Sequence, residues 1–168
     1  ASSLPPAIAL RPSGDFGPWE NNVIGPIGFQ LSSAHGKNPM YRIRENLHLL
    51  VQTNRSAWLY CFYVQADGSV IRIFPNKYRR DARITGETLQ KIPGDYLPFD
   101  FPFIGNPGIE LVKCFATTRD VERDMPLVFG YPAFSPLSID LAAQVPIVFR
   151  KIPGVGVSEA SLVITLVE

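Results

Sequence analysis

Four side chains of this sequence carry soft or nitrogen donors suited to a metal: His35, His48, Cys61 and Cys114. Their spacing contains no Cys-x-x-Cys and no His-x-x-x-His, and zinc sites usually draw two ligands from one such close pair. His35 stands in the turn AHGKNP and His48 on the flank of a strand, so neither reads as a ligand. Cys61 in LYCFY and Cys114 in VKCFA lie among apolar and aromatic residues. A reactive thiolate wants electropositive, accessible surroundings, so both cysteines read as structural. An even count fits an exported protein with a Cys61–Cys114 disulfide. That bridge needs its strands adjacent or face to face, with Cα atoms within about 7 Å, and the residues alone leave it open.

Nucleophile and phosphate motifs are missing from the sequence. There is no Gly-x-Ser-x-Gly elbow, no Gly-x-x-x-x-Gly-Lys and no Gly-x-Gly-x-x-Gly; GVGVSE precedes a strand, not a helix. Two carboxylate pairs, Asp95 with Asp100 and Glu122 with Asp124, have a spacing that could flank a sugar bond. Glycoside hydrolysis needs one of its acids held protonated by burial, and both pairs fall in polar loop or exposed helical turn. The expectation is a non-enzymatic protein without cofactor or metal, with a cryptic carboxylate hydrolase as a rival.

The local charge anomaly is Lys77, Arg79, Arg80 and Arg83, with Tyr78 interleaved. Aromatic interleaving is used by single-stranded nucleic-acid grooves. Asp81 inside the cluster and a net charge of +1 over 168 residues argue against nucleic acid. The readings left are a solvated loop, or a patch for a protein, an anionic glycan or a lipid head group. Asn54-Arg55-Ser56 matches a glycosylation acceptor, which matters only in a eukaryotic secreted protein.

The elements that must carry these residues are strands. The chain is 46% hydrophobic and 18% charged, with 16 prolines along most of its length. That composition excludes a disordered chain and leans toward a β-rich fold with proline-punctuated loops. The longest apolar runs, such as 59–64 and 162–167, are far short of the ~20 residues of a membrane helix. IGFQLSS alternates as a strand. In NLHLLVQ, Leu47, Leu49 and Val51 point one way while His48, Leu50 and Gln52 point the other.

Between AWLYCFYVQ and SVIRIF, Asp67-Gly68 signals a hairpin with a two-residue loop. That register sets Val64 against Ile71, Phe62 against Ile73 and Tyr60 against Pro75. With Trp58 they form one apolar face, expected as the sandwich interior. The other face, Tyr63 against Arg72, Gln65 against Val70 and Cys61 against Phe74, is mixed and expected to be only partly covered. IELVKCFATT and ASLVITLVE add strands, RDVERDM makes about two helical turns, and Pro146 should end or kink a short helix in DLAAQVPIVFRKI. The fold class is therefore all-β, mainly an antiparallel β-sandwich with one or two short helical insertions. A proline-rich arm over 1–23 precedes a single sandwich domain over 24–168. The opening ASSLPPAIAL fits a mature end left by a signal peptidase and equally an arbitrary boundary.

The run NRSAWLYCFYVQADGSVIRIFPN, then DARITGETLQKIPG, then GIELVKCFATT resembles the bacterial family of domain of unknown function 4384. The resemblance rests on Ala57 to Tyr63, Asp67-Gly68, Ile73 to Asn76, Gly86 to Leu89, Pro93-Gly94 and Pro107 to Glu110. It covers about residues 40–118, with the last strand a further candidate. It implies a β-rich accessory or recognition module of exported bacterial proteins, found alone or beside caspase-like peptidases and kinases, with no catalytic residues to carry over. The arm and the segment MPLVFGYPAFSPLSIDLAAQVPIVFRKI exceed the usual module.

The expectation is an adaptor subunit of a bacterial envelope or secretion-type assembly, in the periplasm or at the cell surface. It would dock on protein partners, a second copy included, and would not bind nucleic acid. The docking elements would be the arm, through Phe16 and Trp19, and the segment carrying Tyr96, Phe99, Phe101 and Phe103. The alternative is recognition of an anionic glycan or lipid head group through Lys77, Arg79, Arg80 and Arg83.

Overall fold

A computed structural model describes residues 16–94 and 100–168. The strands are β1 (Phe29–Ser33), β2 (Met40–Arg42), β3 (Leu49–Thr53), β4 (Ala57–Val64), β5 (Val70–Phe74), β6 (Arg83–Ile84), β7 (Gln90–Ile92), β8 (Gly108–Thr117) and β9 (Val157–Val167). The helices are α1 (Pro126–Phe129) and α2 (Ile139–Lys151), with 3₁₀ turns at Gly17–Trp19 and Glu122–Asp124. A small sheet runs β1-β3-β7. A large one runs β2-β9-β8-β4-β5, with β6 on the start of β4. Pairing is antiparallel except for β2 with β9. The fold is mainly β, as expected.

The layers number three rather than two, because the large sheet is buried on both faces. Leu59, Cys61, Tyr63, Val112, Cys114 and Ile164 pack toward Leu49 and Val51 of the small sheet. Tyr60, Phe62, Val64, Leu111 and Phe115 pack toward Val145 and Phe149 of α2. Phe115 and Phe149 stack with centroids 4.0 Å apart. The hairpin face expected in the sandwich interior therefore meets the helices, and the mixed face holds the inter-sheet core. Both faces are apolar, and the aromatic side chains of α2 and α1 decide which layer covers which. The alternation in β3 is as expected: Leu47, Leu49 and Val51 are buried, and His48 is exposed.

The hairpin turn also differs from the two-residue loop. The Gly68 amide donates to Gln65 O (2.8 Å) and the Gln65 amide to Ser69 O (2.8 Å), with Gly68 at φ 89°. This is a type I turn closed by a left-handed glycine, the next commonest hairpin solution. The Asp67 carboxylate accepts from Ser69 N (2.9 Å) and Ser69 Oγ (2.7 Å), which favours this turn. The register becomes Val64 with Val70, Tyr63 with Ile71 and Phe62 with Arg72; a bulge then sets Cys61 against Phe74. Cys61 also lies directly opposite Cys114 on β8, and the two form a disulfide with Cα atoms 4.1 Å apart.

Helix α2 runs through Pro146 instead of ending there. Proline lacks the N–H that would bond the carbonyl four residues back, which is Ala142 O. The indole N–H of Trp19 donates to that carbonyl at 3.1 Å. Trp19 also packs on Phe62 at 5.5 Å. The arm residue thus occupies the acceptor that the proline leaves open, and its own polar atom is satisfied in a buried position.

A buried ion cluster fastens the same corner. Lys113 is fully buried, with Nζ 2.6 Å from Glu159 Oε1 and donating to Asn21 O at 2.6 Å. Arg150 grips Glu159 with both fork arms, at 2.8 Å each, and donates to Asn21 O. Burial works upward on the Glu159 carboxyl, but hydrogen bonds from Arg150 and Lys113 outweigh it and hold the group below the usual carboxylate range.

Candidate functional site

Beside the outer edge of the large sheet, the chain runs antiparallel along β5 and bonds to it twice. Phe134 N donates to Arg72 O (2.9 Å) and Leu137 N to Val70 O (2.9 Å), so residues 133–137 cover the free edge of β5. Past the end of β5, the Asn76 side chain accepts from Tyr78 N (2.9 Å) and Arg79 N (3.1 Å) and donates to Ile73 O. This tight turn presents Lys77 to Arg80 toward the stretch after α1. Between them opens a cleft of about 640 Å³. Arg72, Lys77, Arg80 and Glu122 supply its charge, and Tyr78, Phe129 and Tyr131 its aromatic surface.

Arg72 sets the character of this cleft. It projects from β5 on the helical face and is only 8% exposed. Its Nε donates to Pro75 O (3.0 Å), and Nη1 to Tyr131 O (3.1 Å) and Val128 O (3.3 Å). The guanidinium lies 5.4 Å from the Phe129 ring centre. These partners orient the charge without neutralising it. The ion pairs among the described residues are His35–Glu45, Lys113–Glu159, Arg119–Asp124 and Arg150–Glu159, so none of the described carboxylates lies within pairing distance of Arg72. Burial pulls its proton affinity down, and the charge of Glu122 across the cleft works against that. Burial likewise holds the Glu122 carboxyl above its usual range, with Asp120 adding to the effect and Arg72 opposing it. Three cations and one acid therefore line an aromatic cleft.

The basic cluster read from the sequence divides here. Lys77 and Arg80 join Arg72 in the cleft. Arg79 turns over the Phe74 ring (5.5 Å) and donates to Arg83 O, while Arg83 lies over Trp58 (5.5 Å). The docking aromatics divide as well. Phe16 and Trp19 are buried in the helical-face core, and Phe103, expected in an exposed segment, is buried in the inter-sheet core. They pack on the chain's own body because α2 and Tyr41 offer them apolar cover. Phe101 is half-buried and borders a second cleft, while Tyr96 and Phe99 lie outside the described residues. Of the carboxylate pairs, Asp95 lies outside the described residues and Asp100 lines that second cleft. Glu122 lines the first cleft and Asp124 is tied to Arg119 at 2.7 Å. Among the described residues no three His, Cys, Asp or Glu side chains gather as a metal site.

Sequence reasoning missed Arg72, Phe129 and Tyr131. Arg72 did carry a signal: it is the single charged residue inside β5, VIRIF. The buried Cys61–Cys114 bond points to an oxidising, extracytoplasmic setting. In comparisons with known proteins, the model of a family described as a domain of unknown function, DUF4384, matches residues 40–120. No curated protein and no solved structure matches the chain. The matched stretch contributes Arg72, Lys77 and Arg80 to the cleft, and the segment beyond it contributes Phe129 and Tyr131.

Proposed function

From the premise that this chain carries a DUF4384 domain over residues 40–120, we propose a non-enzymatic recognition module of an exported bacterial protein, working as an adaptor in an envelope assembly. Its ligand is an anionic glycan held in the cleft of Arg72, Lys77 and Arg80. The observation that carries this reading is the Arg72 guanidinium, buried with no ion-pair partner among the described residues at an aromatic cleft that two further cations and the more distant Glu122 line. A buried charge without a partner is costly, and an incoming carboxylate or phosphate relieves that cost. Tyr78, Phe129 and Tyr131 offer flat apolar surface for the body of a sugar, the usual division of labour in small-ligand sites. The periplasm or the cell surface is the compartment that accommodates both the disulfide and such a polymer.

The reading also replaces the docking elements first expected. Phe16, Trp19 and Phe103 pack into the chain's own cores, and residues 1–15 of the arm lie outside the described residues, so the reading rests on the cleft. Calorimetric titration with hexagalacturonate, and with maltohexaose as its neutral counterpart, tests it. Saturable binding of the acidic oligomer alone is expected, weakened by salt and by Lys77→Ala/Arg80→Ala. Equal binding of both oligomers contradicts the reading, as does binding confined to anionic phosphatidylglycerol vesicles.

A further inference from the structure

A second cleft, of about 320 Å³, lies on the opposite face of the same sheet edge. Phe134 borders both clefts, so the segment that covers β5 separates them. The second has the reverse charge. Its ionisable lining among the described residues is Glu110, Asp100 and Tyr63, and no lysine, arginine or histidine borders it. Its walls are Tyr63, Phe101, Phe103, Phe134 and Ile71.

Glu110 projects from β8 and is 5% exposed. One carboxylate oxygen accepts from the Tyr63 hydroxyl and the other from Ala66 N at 2.9 Å. An ionised carboxylate offers about four lone-pair sites, so both oxygens keep acceptor capacity. No cation lies within ion-pair distance of Glu110 among the described residues. The aromatic rings meet around it: Tyr63 stacks on Phe101 at 6.1 Å, Phe103 tilts against Tyr63 at 6.0 Å, and Phe134 meets Phe101 at 5.7 Å. Aromatic faces carry negative quadrupole potential and attract ammonium groups, quaternary ones included.

We propose that this cleft is a binding site for a soluble organic ammonium ion, with the Glu110 carboxylate as counter-ion and Tyr63, Phe101, Phe103 and Phe134 as its aromatic walls. It is independent of the glycan reading, since the two clefts share only Phe134 among their lining residues. Tyr63 is a positioning residue, because its hydroxyl holds the carboxylate in the orientation that faces the cleft. Burial keeps the Tyr63 phenol protonated and donating.

The groups facing Glu110 are Tyr63 from β4, the Ala66 amide and Asp67 from the hairpin turn, and Asp100 across the cleft. Burial first, and the charge of Asp67, push the Glu110 carboxyl above its usual range; the bonds from Tyr63 and Ala66 oppose them. Ammonium binding is therefore full above that raised value and disappears as the pH falls through it.

The test is titration of the full chain with choline and with 3,3-dimethyl-1-butanol, its neutral isostere, followed by the shift of the Ala66 amide in a ¹H–¹⁵N spectrum. Choline is expected to saturate the shift at pH 8, with the isostere at least tenfold weaker. Glu110→Gln, which keeps shape and an acceptor for Ala66, removes the preference for the cation. Tyr63→Phe weakens choline binding and alters its pH profile, a change that loss of packing alone would not produce. Equal response to choline and the isostere overturns the proposal, as does undiminished choline binding in Glu110→Gln. Response to phosphatidylcholine vesicles without response to free choline also overturns it.

Discussion

The two clefts that flank residues 133–137 are built from similar walls and opposite floors. Each is aromatic, each lies against the β5 edge, and each has a buried charge without an ion-pair partner among the described residues: Arg72 in one, Glu110 in the other. Lys113 shows what the chain does with a buried charge that serves the fold. It meets Glu159 at 2.6 Å, and Arg150 completes the cluster. Arg72 and Glu110 receive carbonyls, a hydroxyl and an amide instead, which aim a charge and leave it unneutralised. The difference teaches which buried charges serve architecture and which face outward. Closed clusters hold layers together, and open ones lie at clefts.

The largest effect is expected on stability, at a disulfide that lines neither cleft. The Cys61–Cys114 bond closes a loop with a sequence separation of 53, worth about 4 kcal/mol by loop-closure entropy. Cys61→Ala/Cys114→Ala should lower the urea midpoint accordingly, while the folded fraction retains both binding activities. Loss of one activity alone would place the disulfide inside that site.

Next comes Arg72→Met, which leaves the carbonyls of Pro75, Val128 and Tyr131 without their cationic donor. A loss of roughly 2–3 kcal/mol by denaturant unfolding is expected, with hexagalacturonate binding abolished and choline binding kept. Lys77→Ala/Arg80→Ala should reduce hexagalacturonate affinity about tenfold, or ~1.4 kcal/mol, with little change in stability because both side chains are exposed.

Lowering the pH separates the clefts further. Choline binding should fall as Glu110 takes up its proton, through a range above that of an ordinary glutamate, while hexagalacturonate binding persists until its own carboxylates protonate. Stability should respond in the same region with the opposite sense. A carboxyl raised in the folded state favours folding below its unfolded value and loses that contribution as pH rises through the raised one. Glu159, held low, gives a contribution lost as pH falls through its depressed value. Proton counts by unfolding at several pH values would resolve the two. The smallest effect belongs to Arg79→Ala and Arg83→Ala. They remove ring contacts with Phe74 and Trp58, worth up to about 1 kcal/mol, and should leave both binding curves in place.

Much of the fold was legible in local pattern. The β3 alternation, the hairpin and the closing strand follow from periodicity and turn residues, whereas the Cys61–Cys114 bond, left open by the residues, depends on the pairing of β4 with β8. The third layer was hidden because Tyr60 and Tyr63 both look apolar, and only α2 and the small sheet decide which faces which. Pro146 read as a helix end because Trp19, which satisfies Ala142 O, is 127 positions away. The sites were half legible. Lys77 and Arg80 announce themselves as a charge run, but Arg72 is the one charge in β5 and Glu110 one of two, with Lys113, in β8. Their significance comes from having no ion-pair partner among the described residues, and that is a tertiary fact.

The central claim is that two clefts of opposite charge bind separate ligands. One paired titration tests it: Lys77→Ala/Arg80→Ala and Glu110→Gln, each measured against hexagalacturonate and choline. The account predicts that the first variant binds the oligouronate about tenfold more weakly and keeps choline, and the second loses choline and keeps the oligouronate. Loss of both ligands in either folded variant, or of neither in both, would contradict it.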